Sequence, residues 1–186
     1  MLAPRSLWMV FAAVALCCVA VPRVEAGDWG VVLNGRSVHV DADLDWNDNN
    51  WGLGVEREFD AYRPWVKVAV ANGFEDSRYK MSYMAGAGIK RRRWFGGERL
   101  YADIGVVGFV MTRDDVHGGN PFLGALPTLS LGTRRVAMNV TYLPAAGVNH
   151  EVDPDLRGVL FFQFKLDASL FGFGGADGIR LADSRD

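Results

Sequence analysis

The chain has 186 residues, 49% of them hydrophobic, with 20 Lys and Arg against 22 Asp and Glu. A net charge of −2 offers no basic surface for nucleic acid. The only cysteines are Cys17 and Cys18, within an apolar leader, so the remainder holds neither a disulfide nor thiol chemistry.

The leader has the form of an export signal. Arg5 is its positive start, residues 7–21 are almost unbroken apolar, and Val24-Glu25-Ala26 is a small-x-small cleavage site. The apolar run falls short of the ~20 residues of a membrane-spanning helix. Leu16 before Cys17 does not suit a lipid-attachment site. Cleavage is expected after residue 26, leaving one domain by length. It removes Arg5, Arg23 and Glu25, so 18 basic and 21 acidic residues remain, a balance of −3.

From there the chain alternates. Val38, Val40, Ala42 and Leu44 oppose Ser37, His39, Asp41 and Asp43. Period two marks strands with one oily and one wet face. Eight strands are expected at about 31–43, 51–59, 64–72, 79–89, 99–112, 127–132, 135–144 and 158–166, with too few residues before Val31 for a leading helix. Strand three separates Val66, Val68 and Val70 from Trp65, Lys67, Ala69 and Ala71. Strand four turns Met81, Tyr83, Ala85 and Ile89 outward and Ser82, Met84, Gly86 and Gly88 inward. Strand eight sets Leu160, Phe162, Phe164 and Leu166 against Gln163 and Lys165. No remaining segment suits a membrane helix, and strands of this kind after an export signal point to a barrel with its oily face toward lipid.

Loops of unequal length join the strands. The connection 43–50 is polar and Asp/Asn-rich, 72–78 is moderate, 112–126 and 144–157 are long, and 59–63 and 132–135 are short. The basic 90–97 breaks this alternation and is expected to be a solvated turn near anionic headgroups. With both chain ends on one side, the odd-numbered connections share the opposite rim. His39, near the end of strand one, and Asp76-Ser77, after strand three, then meet there.

A lumenal histidine is most often hydrogen-bonded filler, yet it is also the side chain best suited to move a proton near neutral pH. An Asp-Ser pair in a loop is usually turn chemistry. Beside a histidine and a carboxylate, a serine can also perform acyl transfer, although no Gly-x-Ser-x-Gly elbow is present. His117 and His150 lie in Gly/Asn-rich loops, and the run from His150 to Asp155 is a weak cation candidate. Gly86 and Gly88 either leave room in the lumen or relieve curvature. Pro127 and Pro144 sit at expected strand ends, where they end the ladder or open a gap in it.

Taken together these residues resemble the outer-membrane lipid A palmitoyltransferases, the PagP family. Ser37-Val38-His39, Phe74-Glu75-Asp76-Ser77 and Ala85-Gly86-Ala87-Gly88 carry the resemblance. So do Gly105, Thr112-Arg113-Asp114, Pro127, Gly132, Thr141-Tyr142-Leu143-Pro144 and Phe162-Gln163-Phe164, so that it covers about residues 36–166. It implies an all-β, eight-stranded antiparallel transmembrane barrel over 27–166 with an interior acyl-chain pocket, in the bacterial outer membrane. It implies transfer of a palmitoyl chain from a glycerophospholipid donor to lipid A, by a monomer without metal or cofactor. His39, Asp76 and Ser77 become the catalytic trio, His39 relaying a proton with the help of Asp76 and Ser77 positioning or accepting, with no covalent acyl-serine assigned. Gly88 becomes the residue limiting acyl length at the pocket floor, and Pro127 and Pro144 the flanks of lateral openings for lipids. Ser77 and Gly88 are 11 residues apart; at ~3.3 Å per residue and ~40° tilt that is roughly 28 Å of depth. The chain departs from the family in lacking the leading helix, in its compact first outer loop, and in a tail, 167–186, expected to be partly disordered. The competing expectations are a small non-enzymatic barrel, structural or adhesive, and a lipid hydrolase.

Overall fold

The computed structural model describes residues 28–42, 44–114, 116–144 and 155–172. The export signal, the run from His150 to Pro154 and most of the tail lie outside the described residues. Eight antiparallel strands close a barrel in sequence order. They are β1 (Asp28–Val40), β2 (Asn49–Phe59), β3 (Trp65–Glu75), β4 (Met81–Phe95), β5 (Leu100–Thr112), β6 (Phe122–Gly132), β7 (Val136–Pro144) and β8 (Gly158–Asp167). β1 pairs with β8, leaving no edge.

The distribution of polarity is inverted relative to a water-soluble domain. Trp51, Ile104 and Leu123 are 71%, 63% and 83% exposed on the outside, whereas Lys90 and Arg92 are 1% and 5% exposed within. Asn34, Asn72, Asn139 and Gln163 also face inward, and Gln163 Nε2 donates to Asn34 Oδ1 across the β1–β8 seam. Strand parity follows the alternation in β3, β4, β5 and β8.

β1 is the exception. Its register shifts between Asn34 and Ser37 against both neighbours. Asn34 and Ser37 are therefore both buried, although an uninterrupted strand would turn them to opposite faces. The bulge brings the odd-numbered Ser37 and His39 inside above the even-numbered Val32 and Asn34.

Two expected boundaries are corrected. The basic run is not a turn: β4 continues through Arg93 to Phe95, and the connection is the four residues 96–99. Gly96 and Gly97 adopt φ of 58° and 67° there, a conformation glycine takes without steric cost. Charge misled because alternation splits the run, Lys90 and Arg92 pointing into the lumen where acids await them. β6 begins at Phe122, so Pro127 lies inside the strand rather than at its start. The short connections 60–64, 96–99 and 133–135 then lie at one end and the longer 41–48, 113–121 and 145–157 at the other, where only 76–80, no longer than 60–64, departs from the alternation.

A lattice of ion pairs crosses the lumen near the short-turn end. Lys90 Nζ lies 3.0 and 2.9 Å from the two Glu56 oxygens. Arg92 forks onto Asp103 at 2.9 and 2.8 Å and onto Glu58 at 2.9 and 2.8 Å, and Lys165 bridges Glu56 and Glu58. Three cations meet three carboxylates from β2, β4, β5 and β8, so the buried charges cancel, the condition under which such groups survive away from water.

Candidate functional site

At the opposite rim the first and third outer connections are fastened together. Asn47, 4% exposed, donates its backbone N–H to Ser77 O at 3.0 Å. Its side-chain amide donates to Glu75 Oε1 at 3.0 Å and to Asp76 O at 3.1 Å. Asn50 Nδ2 adds a bond to Glu75 O at 2.9 Å. Backbone groups that two irregular loops leave open are thus met by asparagine amides.

This clasp brings three side chains into line. His39 Nε2 is 2.9 Å from Ser77 Oγ, and His39 Nδ1 is 2.9 Å from Asp48 Oδ1. The imidazole is stacked on Trp46, ring centroids 5.5 Å apart at 15°. Its side chain is 5% exposed while that of Asp48 is 42% exposed, so the carboxylate stays hydrated and the ring does not. A carboxylate only accepts, which places the proton on Nδ1 and leaves Nε2 to accept from Ser77. Hydroxyl, imidazole and carboxylate in series can remove the serine proton and hold the imidazolium that results.

Asp76 does different work from His39 and Ser77. Its Oδ1 accepts from the backbone N–H of Arg78 at 2.9 Å and of Lys80 at 3.1 Å, and its Oδ2 accepts from Ser82 Oγ at 3.0 Å. Arg113 Nε stands 4.0 Å away. Asp76 therefore builds the turn that presents Ser77, while the carboxylate bonded to His39 is Asp48. Trp46, Asn47 and Asp48 were not singled out from the sequence. Their signal was a tryptophan inside the Asp/Asn-rich first connection, on the rim where topology already placed His39 and Ser77.

Beneath the rim lies a cavity of about 460 Å³, within the ~300–1,000 Å³ of small-molecule pockets. Phe74, Met84, Phe109, Met111, Leu126 and Phe161 give it an apolar wall, and Glu56 and Lys90 are its deepest lining residues. Gly88 lies on the lumenal face of β4 between Met84 and Lys90, opposite Val68 and Val107. A Cβ there would collide with the Val106 carbonyl and stand 2.9 Å from Val107 Cα, so β4 and β5 approach closely where no side chain intrudes. Ser37 Oγ and Asn50 Oδ1, both in the lining, are buried without hydrogen-bond partners.

The wall has a seam. β6 and β7 are in register only from Thr128↔Thr141 to Gly132↔Ala137. Above that, 122–127 and 142–144 have no ladder between them, Pro127 at the first unpaired position and Pro144 at the end of β7. Leu123, Leu126 and Leu143 line the cavity at this seam. Among the described residues no cluster of three or more His, Cys, Asp or Glu is disposed to hold a metal ion.

Comparison with known proteins agrees with this architecture. The family described as "Antimicrobial peptide resistance and lipid A acylation protein PagP" matches residues 31–155. A "Lipid A acyltransferase PagP" of Methylobacillus flagellatus is 32% identical over 105 residues, 55% of each chain. A protein of the same description from Bordetella pertussis is 30% identical over 108 residues, 58% of each. The chain thus spans little more than half the length of these relatives. The matched stretch contains the bulge, the clasp, the seam and all of the cavity wall except its β8 side, and the chain belongs to the PagP family.

Proposed function

We propose that this chain is an outer-membrane acyltransferase that moves a palmitoyl chain from a glycerophospholipid to lipid A, acting as a monomer. The observation that carries the proposal is the Ser77–His39–Asp48 series standing over an apolar slot. The names of the relatives and the oily exterior support it.

The donor enters sideways through the seam between Pro127 and Pro144, and its acyl tail fills the slot down past Gly88, whose missing side chain keeps the slot deep. Ser77 Oγ attacks the ester carbonyl as His39 Nε2 takes its proton, with Asp48 holding the imidazolium. That proton passes to the departing glycerol oxygen, leaving acyl-Ser77 and a lysophospholipid. A lipid A hydroxyl then gives its proton to His39 and attacks the acyl carbonyl, which restores Ser77. Asp76 contributes by fixing the turn that carries Ser77. A purely structural barrel gains nothing from an open apolar slot beneath such a series.

The test uses purified full-length protein in detergent with labelled phospholipid and lipid A. Label should move to lipid A, and His39→Ala and Ser77→Ala should each lower the rate about 10³-fold or more while keeping the heat-modifiable folded band. Mass spectrometry of protein quenched without lipid A should find the acyl group on Ser77. Free fatty acid as the sole product would make the protein a hydrolase. Unchanged transfer by the Ser77→Ala protein would overturn the nucleophile.

A further inference from the structure

Alternation divides the basic run 90–93 into an inward half, used by the ion lattice, and an outward half, Arg91 and Arg93, with no ion pair among the described residues. Arg91 and Arg93 point outward from β4, as do Lys67 from β3 and Arg57 from β2, because their neighbours Lys90, Arg92, Val66, Val68, Glu56 and Glu58 are buried in the lumen. The register sets them in a diagonal stripe. Arg57 opposes Ala69, two residues from Lys67; Lys67 opposes Ile89, two residues from Arg91. Diagonal neighbours of this kind lie ~7–8 Å apart.

Among the described residues none of the four has an ion-pair partner. No acid occupies an outward position in this half of β2–β5; Glu56, Glu58 and Asp103 all turn inward. Like charges on neighbouring strands repel, so the stripe calls for an anion from outside the chain. The cations are also anchored. Arg57 lies over Trp29 at 5.2 Å and Phe59 at 4.8 Å, and Arg91 lies over Trp65 at 5.3 Å. Arg57 Nε is buried with no hydrogen-bond partner. Apolar Val55, Ile89 and Ile104 adjoin the stripe on the outer wall, each more than 40% exposed. Aromatic rings holding basic groups beside an apolar wall suit a headgroup whose tails run along that wall. A guanidinium bonds a phosphodiester in the same planar fork it uses for carboxylates.

We propose that the outer wall of β2–β4, beside the short turns, is a binding site for an anionic glycerophospholipid, its phosphate held between the diagonal neighbours Lys67 and Arg91, with Arg57 and Arg93 extending the positive stripe to either side. This rests on the membrane location proposed above. Native mass spectrometry of the intact protein released from micelles tests it, with phosphatidylglycerol and phosphatidylcholine of matched chains as probes. Phosphatidylglycerol adducts should persist about tenfold more than phosphatidylcholine adducts. In Arg57→Gln/Lys67→Gln/Arg91→Gln/Arg93→Gln the ratio should fall to about one. The milder Lys67→Gln/Arg93→Gln, which spares the aromatic-stacked arginines and so the packing, should lower it about threefold. Arg99→Gln/Arg134→Gln/Arg135→Gln, which strips charge from the adjacent turns, should leave it intact. Equal retention of the two lipids by the unmodified protein, an unchanged ratio in the stripe variants, or equal loss in the turn variant would overturn the site. Displacement of the adducts by free glycerol phosphate would reduce it to an anion site without lipid. Failure to float with liposomes would refute the membrane location instead.

Discussion

The two ends of the barrel solve the problem of a polar lumen in opposite ways. Near the short turns the interior is dominated by charge: six groups from four strands neutralise one another beside a smaller opening of about 250 Å³, where Tyr101 Oη is buried without a partner. Near the long connections lies the larger slot, walled mostly by aromatic and aliphatic side chains, with three lining polar atoms, on Ser37, Asn50 and Asn139, left without partners. Mutually neutralised charges give rigidity and little reactivity. Unsatisfied groups and open space give a place for a substrate. One end acts as the foundation for the other, because a tube this narrow keeps an empty half only if the remainder fixes its circumference.

The contrast is broken most severely at Arg92. Arg92→Leu strands Glu58 and Asp103 in the lumen and should cost about 3–5 kcal/mol of unfolding free energy, measured by urea titration in micelles, with the transfer rate per folded molecule unchanged. A loss under ~1 kcal/mol would mean that water replaces the guanidinium and the filled half is not rigid. The two rim aspartates sharpen the comparison further. Asp48→Asn should slow transfer about 10²-fold and shift its pH profile, with little effect on stability, since the amide no longer stabilises an imidazolium. Asp76→Ala should release the turn amides and cost about 1–2 kcal/mol, its rate loss coming from a misplaced Ser77 with the pH profile unmoved. Equal pH profiles for the two variants would remove the distinction. The last change falls on the border between the halves and is read in selectivity. Gly88→Met should shift donor preference toward chains shorter than palmitoyl, at about 1–3 kcal/mol from crowding of β4 on β5. Unchanged selection would locate the end of the slot elsewhere.

Much of the barrel was legible because a two-residue period records which face each side chain takes. β3, β4, β5 and β8 follow that record, and so does the meeting of His39 with Ser77 once odd connections share a rim. The errors have physical causes. Hydropathy registers Lys90 and Arg92 as hydrated, and only closure of the barrel, which brings Glu56 and Glu58 of β2 and Asp103 of β5 to them in the lumen, reveals their acids. The bulge at 34–37 leaves no mark in composition, since a shifted parity reads as a weaker strand. Asp48 was hidden by its surroundings: among Asp45, Asp48 and three asparagines, nothing local distinguishes the carboxylate that the clasp turns toward the histidine. The family resemblance put Asp76 in the trio, and here its carboxylate is taken up in the turn by two backbone amides and Ser82.

The clasp formed by Asn47 has a consequence for the protein in transit. Ser77 and His39 belong to segments 38 residues apart, and they are aligned only when β1 to β4 have paired and the first connection has folded over the third. On the proposed outer-membrane location the chain crosses the periplasm unfolded, holding both groups but no aligned relay and no slot. The proposed transfer then becomes possible only with the final closure of the wall.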